Sequence, residues 1–140
     1  MRFLFDACSV LQVIKDLSEE EVLRILGESC ILDLTKYEVG NTLWKEYMSH
    51  HIIEEDEFRE LLALFQNIIL RTKILTVEAS NLSDVADVAA KEKITFYDAS
   101  HIVIARHQDL TLVTEDEQLS KTSSKYTKTI TNKQIRSSLD

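Results

Sequence analysis

The sequence has no proline and only two glycines, Gly27 and Gly40. Proline fixes φ and glycine permits positive φ, so both mark turns and linkers. Their scarcity excludes collagen-like and linker-rich organisations and predicts few tight turns, no long loops and a helix-dominated chain. Cysteine is equally sparse. Cys8 and Cys30 are far apart and form no C-x-x-C pair, which points to reduced thiols in a cytoplasmic protein rather than a disulfide framework. No apolar run reaches the length of a membrane-spanning helix. The opening MRFLFDACSV is too short in its apolar part for a signal peptide, and Asp6 interrupts it.

What remains is an ordinary globular composition. The 140 residues are 44% apolar and 29% charged, enough for one domain with a proper core. The net charge of −8 argues at first against a nucleic-acid partner. Its distribution is uneven. Residues 118 to 139 carry Lys121, Lys125, Lys128, Lys133 and Arg136 and no acid, which reads either as a solvated end segment or as a basic binding tail.

Short apolar runs alternate with helical patterns. Strands are expected at residues 2–5, 30–32, 74–77, 110–113 and 127–130. Helices are expected at 9–15, 18–27, 36–49, from 54 through an apolar stripe ending at 69, 82–91, 97–107 and 115–119. Alternation of this kind implies an α/β fold, a three-layer sandwich whose largely parallel five-stranded sheet is flanked by helices.

Four acids recur at equivalent places. Asp6 ends the first strand, Glu38 follows the second, Asp116 follows the fourth, and Asp98 opens the helix that leads into the fourth. Ligands of open parallel sheets bind beyond the carboxyl ends of the strands. A plainer reading competes. Thr35, Thr95 and Thr114 each stand three residues before an acid (Glu38, Asp98 and Glu117), the spacing of a capping box. Four helix starts bearing acids should nonetheless meet at one sheet edge. Carboxylates about 4 Å apart repel by about 4 kcal/mol at an effective dielectric of about 20. Protonation or a divalent cation relieves that repulsion. An all-oxygen donor set suits Mg²⁺, with Mn²⁺ as an alternative, and no Cys/His cluster offers a zinc site. Mg²⁺ held by carboxylates suits phosphodiester hydrolysis, because it polarises a phosphate oxygen and acidifies water.

The stretches FDACSVL, LTKYEVGNTLWK, FYDASHIVIA and LVTEDEQL, in this order and spacing, resemble the PIN-domain ribonucleases, and most closely the VapC toxins of type II toxin–antitoxin systems. The resemblance spans nearly the whole chain and implies a single PIN-like domain over residues 1–140. It further implies a Mg²⁺-dependent endoribonuclease, an RNA substrate, a cognate antitoxin and a homodimer. Carried over by position, Asp6, Glu38, Asp98 and Asp116 are the metal ligands and catalytic acids. Asp116 is preferred over its neighbours Glu115 and Glu117 because it fits the family's Thr-x-Asp pattern with Thr114. Asn41 lies one turn after Glu38 and is expected to orient it or to touch substrate, and Thr114 and Ser9 are further candidates for such supporting roles. The family's Ser, Thr or Asn two residues after the first acid is Cys8 here. It is expected to be a small buried residue, with Ser9 supplying a hydroxyl only after a backbone shift. His101, three residues after Asp98, is expected to be a packed or surface residue rather than a substrate contact. Gly40 is expected to let another helix approach closely.

Two other functions fit less well. A catalytically inactive PIN-like module binding RNA or protein has no use for four mutually repelling acids. A metal-dependent phosphatase would need an Asp-x-Asp nucleophile pair after the first strand, which is absent.

Overall fold

A computed structural model describes residues 3–139. Strands β1 (Phe3–Phe5), β2 (Cys30–Leu32), β3 (Lys73–Leu75), β4 (Thr111–Val113) and β5 (Thr129–Ile130) alternate with helices α1 (Ala7–Asp16), α2 (Glu19–Leu26), α3 (Asp33–Met48), α4 (Glu55–Ile69), α5 (Leu82–Glu92), α6 (Phe96–His107), α7 (Glu117–Ser123) and α8 (Asn132–Leu139). The sheet order is β3-β2-β1-β4-β5, and every pairing is parallel. The chain builds outward from β1 through β2 to β3, then returns to the other side of β1 with β4. The β1/β4 boundary is therefore the topological switch point, where a crevice opens beyond the carboxyl ends.

The three central strands, β1, β2 and β4, are short and largely buried on both faces, so their side chains alternate between two cores. Phe5, Ile31 and Val113 point into one, which α1, α2, α3, α4 and Ile135 of α8 complete. Leu4, Cys30, Leu32 and Leu112 point into the other, under α5, α6 and Leu119 of α7. The expected three-layer sandwich is what forms. The apolar stripe of α4 packs in the first core, and Tyr47 of α3 stacks on Phe58 at 5.0 Å between ring centroids.

Several boundaries differ from expectation. Helix α3 starts at Asp33, α7 runs later than expected, and the basic tail folds into α8. Arg2 of the expected first strand lies outside the described residues. With so few glycines, the left-handed positions fall to His51, Lys93 and Asp109, at φ 52°, 56° and 55°. Gly40, by contrast, faces open space: a Cβ built there meets nothing within 4 Å. The close helix approach expected at that position does not occur.

Candidate active site

Each acid owes its place to a helix start at the carboxyl edge of the sheet. Asp6 leaves β1 and is the N-cap of α1; its Oδ1 accepts from the Ser9 backbone N–H at 2.9 Å. Ser9 is buried, and its hydroxyl donates to the Val113 carbonyl at 3.0 Å, tying α1 to β4. Ser9 thus reaches the site through Asp6, by its amide. Asp116 is the N-cap of α7 and accepts from Leu119 N at 3.0 Å. Buried Thr114 steadies that turn, its Oγ1 accepting from Asp116 N at 3.1 Å. Asp98 lies in the first turn of α6, which Thr95 caps by accepting from Asp98 N at 3.0 Å. Glu38 sits one turn further into α3, on a partly buried face.

Of the three capping boxes the spacing suggested, only the threonine cap at Thr95 forms. Thr35 is already inside α3 and fully buried, with its hydroxyl unpartnered. Thr114 serves Asp116 rather than Glu117, since α7 starts two residues later than a Thr114 cap requires.

The carboxylates lie within electrostatic reach of one another. The Glu38 carboxyl is pushed above its ordinary range by burial, and further by Asp6 and Asp98, while His101 opposes the rise. Asp98 is raised in the same way, by burial first, then by Asp116 and Asp6, again against His101. Cys8 marks the centre. Its thiol is raised by burial of the sulfur, then by Asp6, Glu38, Asp116 and Asp98 together. The residue is nonetheless exposed overall, so the expectation of a small buried residue fails. Cys8 follows the N-cap on the outer face of α1, with Ala7 and Ser9 turned inward on either side.

Among the described residues, no three histidine, cysteine, aspartate or glutamate side chains come close enough together to hold a bare ion directly. The donor set still fits a hydrated one. All four groups are carboxylates, two of them raised by burial first and then by their acidic neighbours, and Mg²⁺ commonly keeps several waters while using one or two carboxylates.

The neighbours of Asp116 separate cleanly. Glu115 turns away and accepts from Asn132 N at 2.7 Å, fixing the start of α8. Asp116 acts on Asp98 and Cys8. Glu117 is exposed. A cavity of about 250 Å³ beside Asp116 is lined by Glu115 and Glu117 as well as Thr114, Ser120, Lys121 and Thr131. Asn41 shares the side of α3 that carries Glu38 and is exposed. His101 takes the packed one of its two expected placements but is not fully satisfied: it is buried, pairs Nδ1 with the Tyr97 carbonyl at 3.0 Å, and leaves Nε2 unpartnered among the described residues. Its spacing from Asp98, one helical turn, was the available signal.

Residues 3–125 match the family model described as the PIN domain. The chain belongs to the PIN-domain family. This PIN domain is 38% identical over 89 residues to exonuclease VapC9 of Pyrobaculum aerophilum, a match covering 64% of this chain and 62% of that relative. It is therefore a match to less than two thirds of that protein. Ribonuclease VapC3 of the same organism is 31% identical over 125 residues, covering 86% of this chain and 94% of the relative. Among solved structures, PAE2754 of Pyrobaculum aerophilum superposes with a TM-score of 0.80 at 28% identity, over 99% of this chain and 89% of that one. VapBC2 of Rickettsia felis, bound to a promoter DNA fragment, shares the fold at 13% identity and a TM-score of 0.68, over 94% and 98% of the two chains.

Proposed function

We propose that this PIN domain is a divalent-metal-dependent endoribonuclease, acting as a single domain over residues 1–140. The observation that carries the reading is the placement of Asp6 and Asp116 as caps of α1 and α7 beyond the ends of the paired strands β1 and β4, at the switch point of the sheet, with Glu38 and Asp98 within reach of their charge. Asp6, Glu38, Asp98 and Asp116 are the residues to hold Mg²⁺, or Mn²⁺ in its place. Bound there, the ion would supply polarisation of a phosphate oxygen and an acidified water. The chain's own part is to present negative oxygen without neutralising it. Asp6 and Asp116 each spend one carboxylate oxygen on a cap, and the other has no hydrogen-bond partner among the described residues. Glu38 and Asp98, with raised proton affinity, are the groups best suited to take a proton from an attacking water at near-neutral pH. Lys121, lining the cavity beside Asp116, is a cation for the RNA backbone in an otherwise acidic surface.

The resemblance to the VapC toxins and the fold shared with VapBC2 support a toxin that pairs with an antitoxin; work in the cytoplasm as a homodimer is what the resemblance alone implies. Among the described residues, no helix is long and apolar enough to cross a membrane. Trp44 and Met48, one turn apart and exposed on α3, are a candidate dimer face.

The test is incubation of the purified protein with linear and with circular RNA, with Mg²⁺ or Mn²⁺ and with chelator. Metal-dependent cutting of both substrates, abolished in Asp98→Asn, is expected. A circle left intact while linear RNA is shortened would make it an exonuclease, the activity for which its relative VapC9 is named. RNA bound and never cut would make it an inactive module.

A further inference from the structure

A second pocket opens at the carboxyl edge of the sheet, between the starts of α3 and the end of β3. Its volume is about 310 Å³, at the small end of the range for ligand sites. Leu32 and Leu75, register partners at the ends of β2 and β3, line it. So do Leu34, Val77 and the ring of Tyr37. Leu34, Leu75 and Val77 pack against the core beneath yet stay only partly buried, so hydrocarbon is left uncovered there. Leu34 precedes Glu38 by one turn on the same side of α3. Tyr37 directly precedes Glu38 and is 67% exposed. The pocket therefore adjoins the acids.

Asp33, Thr76 and Ser100 supply its polar lining. None of them has a hydrogen to spare. The Ser100 hydroxyl donates to the Phe96 carbonyl at 2.8 Å, and the Thr76 hydroxyl donates to Glu78 Oε1 at 3.2 Å. The Asp33 carboxylate accepts from Lys36 at 2.6 Å. What these side chains still offer is oxygen lone pairs. Apolar walls, an aromatic ring and a set of acceptors suit a flat ligand with N–H groups at its edge.

We propose that this pocket takes a nucleobase of the RNA beside the phosphate that is cut, stacked on Tyr37 and chosen for an exocyclic amino group. Stacking accepts any base; the acceptors make the choice. Adenine and cytosine carry an amino group where uracil carries O4, a bare acceptor that the pocket oxygens repel. This inference rests on the ribonuclease reading above and adds to it a choice of base.

The test uses single-stranded RNAs in which one position at a time is adenine, cytosine, uracil or abasic. Affinity for the Asp98→Asn protein in Mg²⁺ is read by fluorescence anisotropy, and wild-type cuts are mapped on the same strands. At one position, adjoining the cut, adenine or cytosine should bind about 10-fold tighter than uracil. Adding Tyr37→Ala should weaken binding of the base-bearing strand about 10- to 100-fold and leave the abasic strand unchanged, with Tyr37→Phe close to the parent. Thr76→Val keeps the shape, removes an acceptor and should shrink the preference over uracil while stacking persists. Thermal melts establish that the variants fold. Equal losses on base-bearing and abasic strands overturn the proposal, as does cutting with no preference among bases. A Tyr37→Ala protein that sediments differently but binds RNA unchanged also overturns it, and gives the pocket to a second copy of the chain. Base-selective binding by wild-type protein that never cuts supports the pocket and sinks the ribonuclease reading alone. Protein that binds no RNA overturns both.

Discussion

The backbone amide of Ser9 donates to Asp6 Oδ1 at 2.9 Å, while the hydroxyl of the same serine donates to the Val113 carbonyl at 3.0 Å. One buried residue therefore caps α1 and stitches it to β4, and Asp6 is held at the switch point by the same contacts that close the helix. Asp6 is a cap and a member of the acid cluster at once, and its two roles separate on substitution.

Asparagine caps about as well as aspartate, whereas alanine loses about 1 kcal/mol. Asp6→Asn keeps the cap and removes a charge that raises Glu38 and Asp98. In chelator at neutral pH, Asp6→Asn is expected to melt above wild type and Asp6→Ala below it. Equal destabilisation by both would mean that repulsion among the acids is negligible.

The raised proton affinities of Glu38 and Asp98 fix the sign of a pH effect. Each group binds protons more tightly folded than unfolded. Its contribution to stability is therefore present below the ordinary carboxylate range and is lost as pH rises through the raised value. Glu38→Gln removes one such group. Denaturant melts without metal should show wild type losing stability relative to Glu38→Gln as pH rises from the ordinary carboxylate range towards neutrality. A pH-independent difference would contradict the raised proton affinity of Glu38.

Cys8 is a built-in reporter of the cluster. Its raised thiol should react slowly with iodoacetamide near neutral pH, because the thiolate is the nucleophile. Asp98→Asn and Glu38→Gln should each speed the reaction. Cys30 is buried and should stay unreacted while the protein is folded, so mass spectrometry can assign the label. Unchanged rates in both variants would show that the acids do not reach the sulfur.

Gly40 lies within α3 with empty space where a Cβ would go. Gly40→Ala is expected to stabilise by about 0.5–1 kcal/mol, since glycine in a helix interior costs that much relative to alanine. A loss of stability in urea melts would mean that α3 packs differently there.

Lys121 lines the cavity beside Asp116. In an Asp98→Asn background, where RNA is bound but not cut, Lys121→Glu should weaken binding. The slope of log affinity against log salt should become shallower by about 0.7 for one lost single-strand phosphate contact. A parallel shift at every salt concentration would mean that Lys121 touches no phosphate.

The sequence by itself determined the layered fold and the order of the acids. Apolar runs such as CIL and TLV become β2 and β4 because a strand buried on both faces needs nothing more than continuous apolar residues. Asp6 and Asp98 were legible because helix starts carry local signals. Tertiary structure decided what depends on neighbours distant in sequence. Asp116 faces Asp98 while Glu115 turns to Asn132, seventeen residues on. Cys8 is exposed because Ala7 and Ser9, not Cys8, take the inward side of α1, and Gly40 meets nothing because no element crosses α3 there. His101 is buried with Nδ1 on the Tyr97 carbonyl and Nε2 unpartnered among the described residues, which no local pattern foretells. Periodicity records which residues share a face; only the packed chain determines what that face meets.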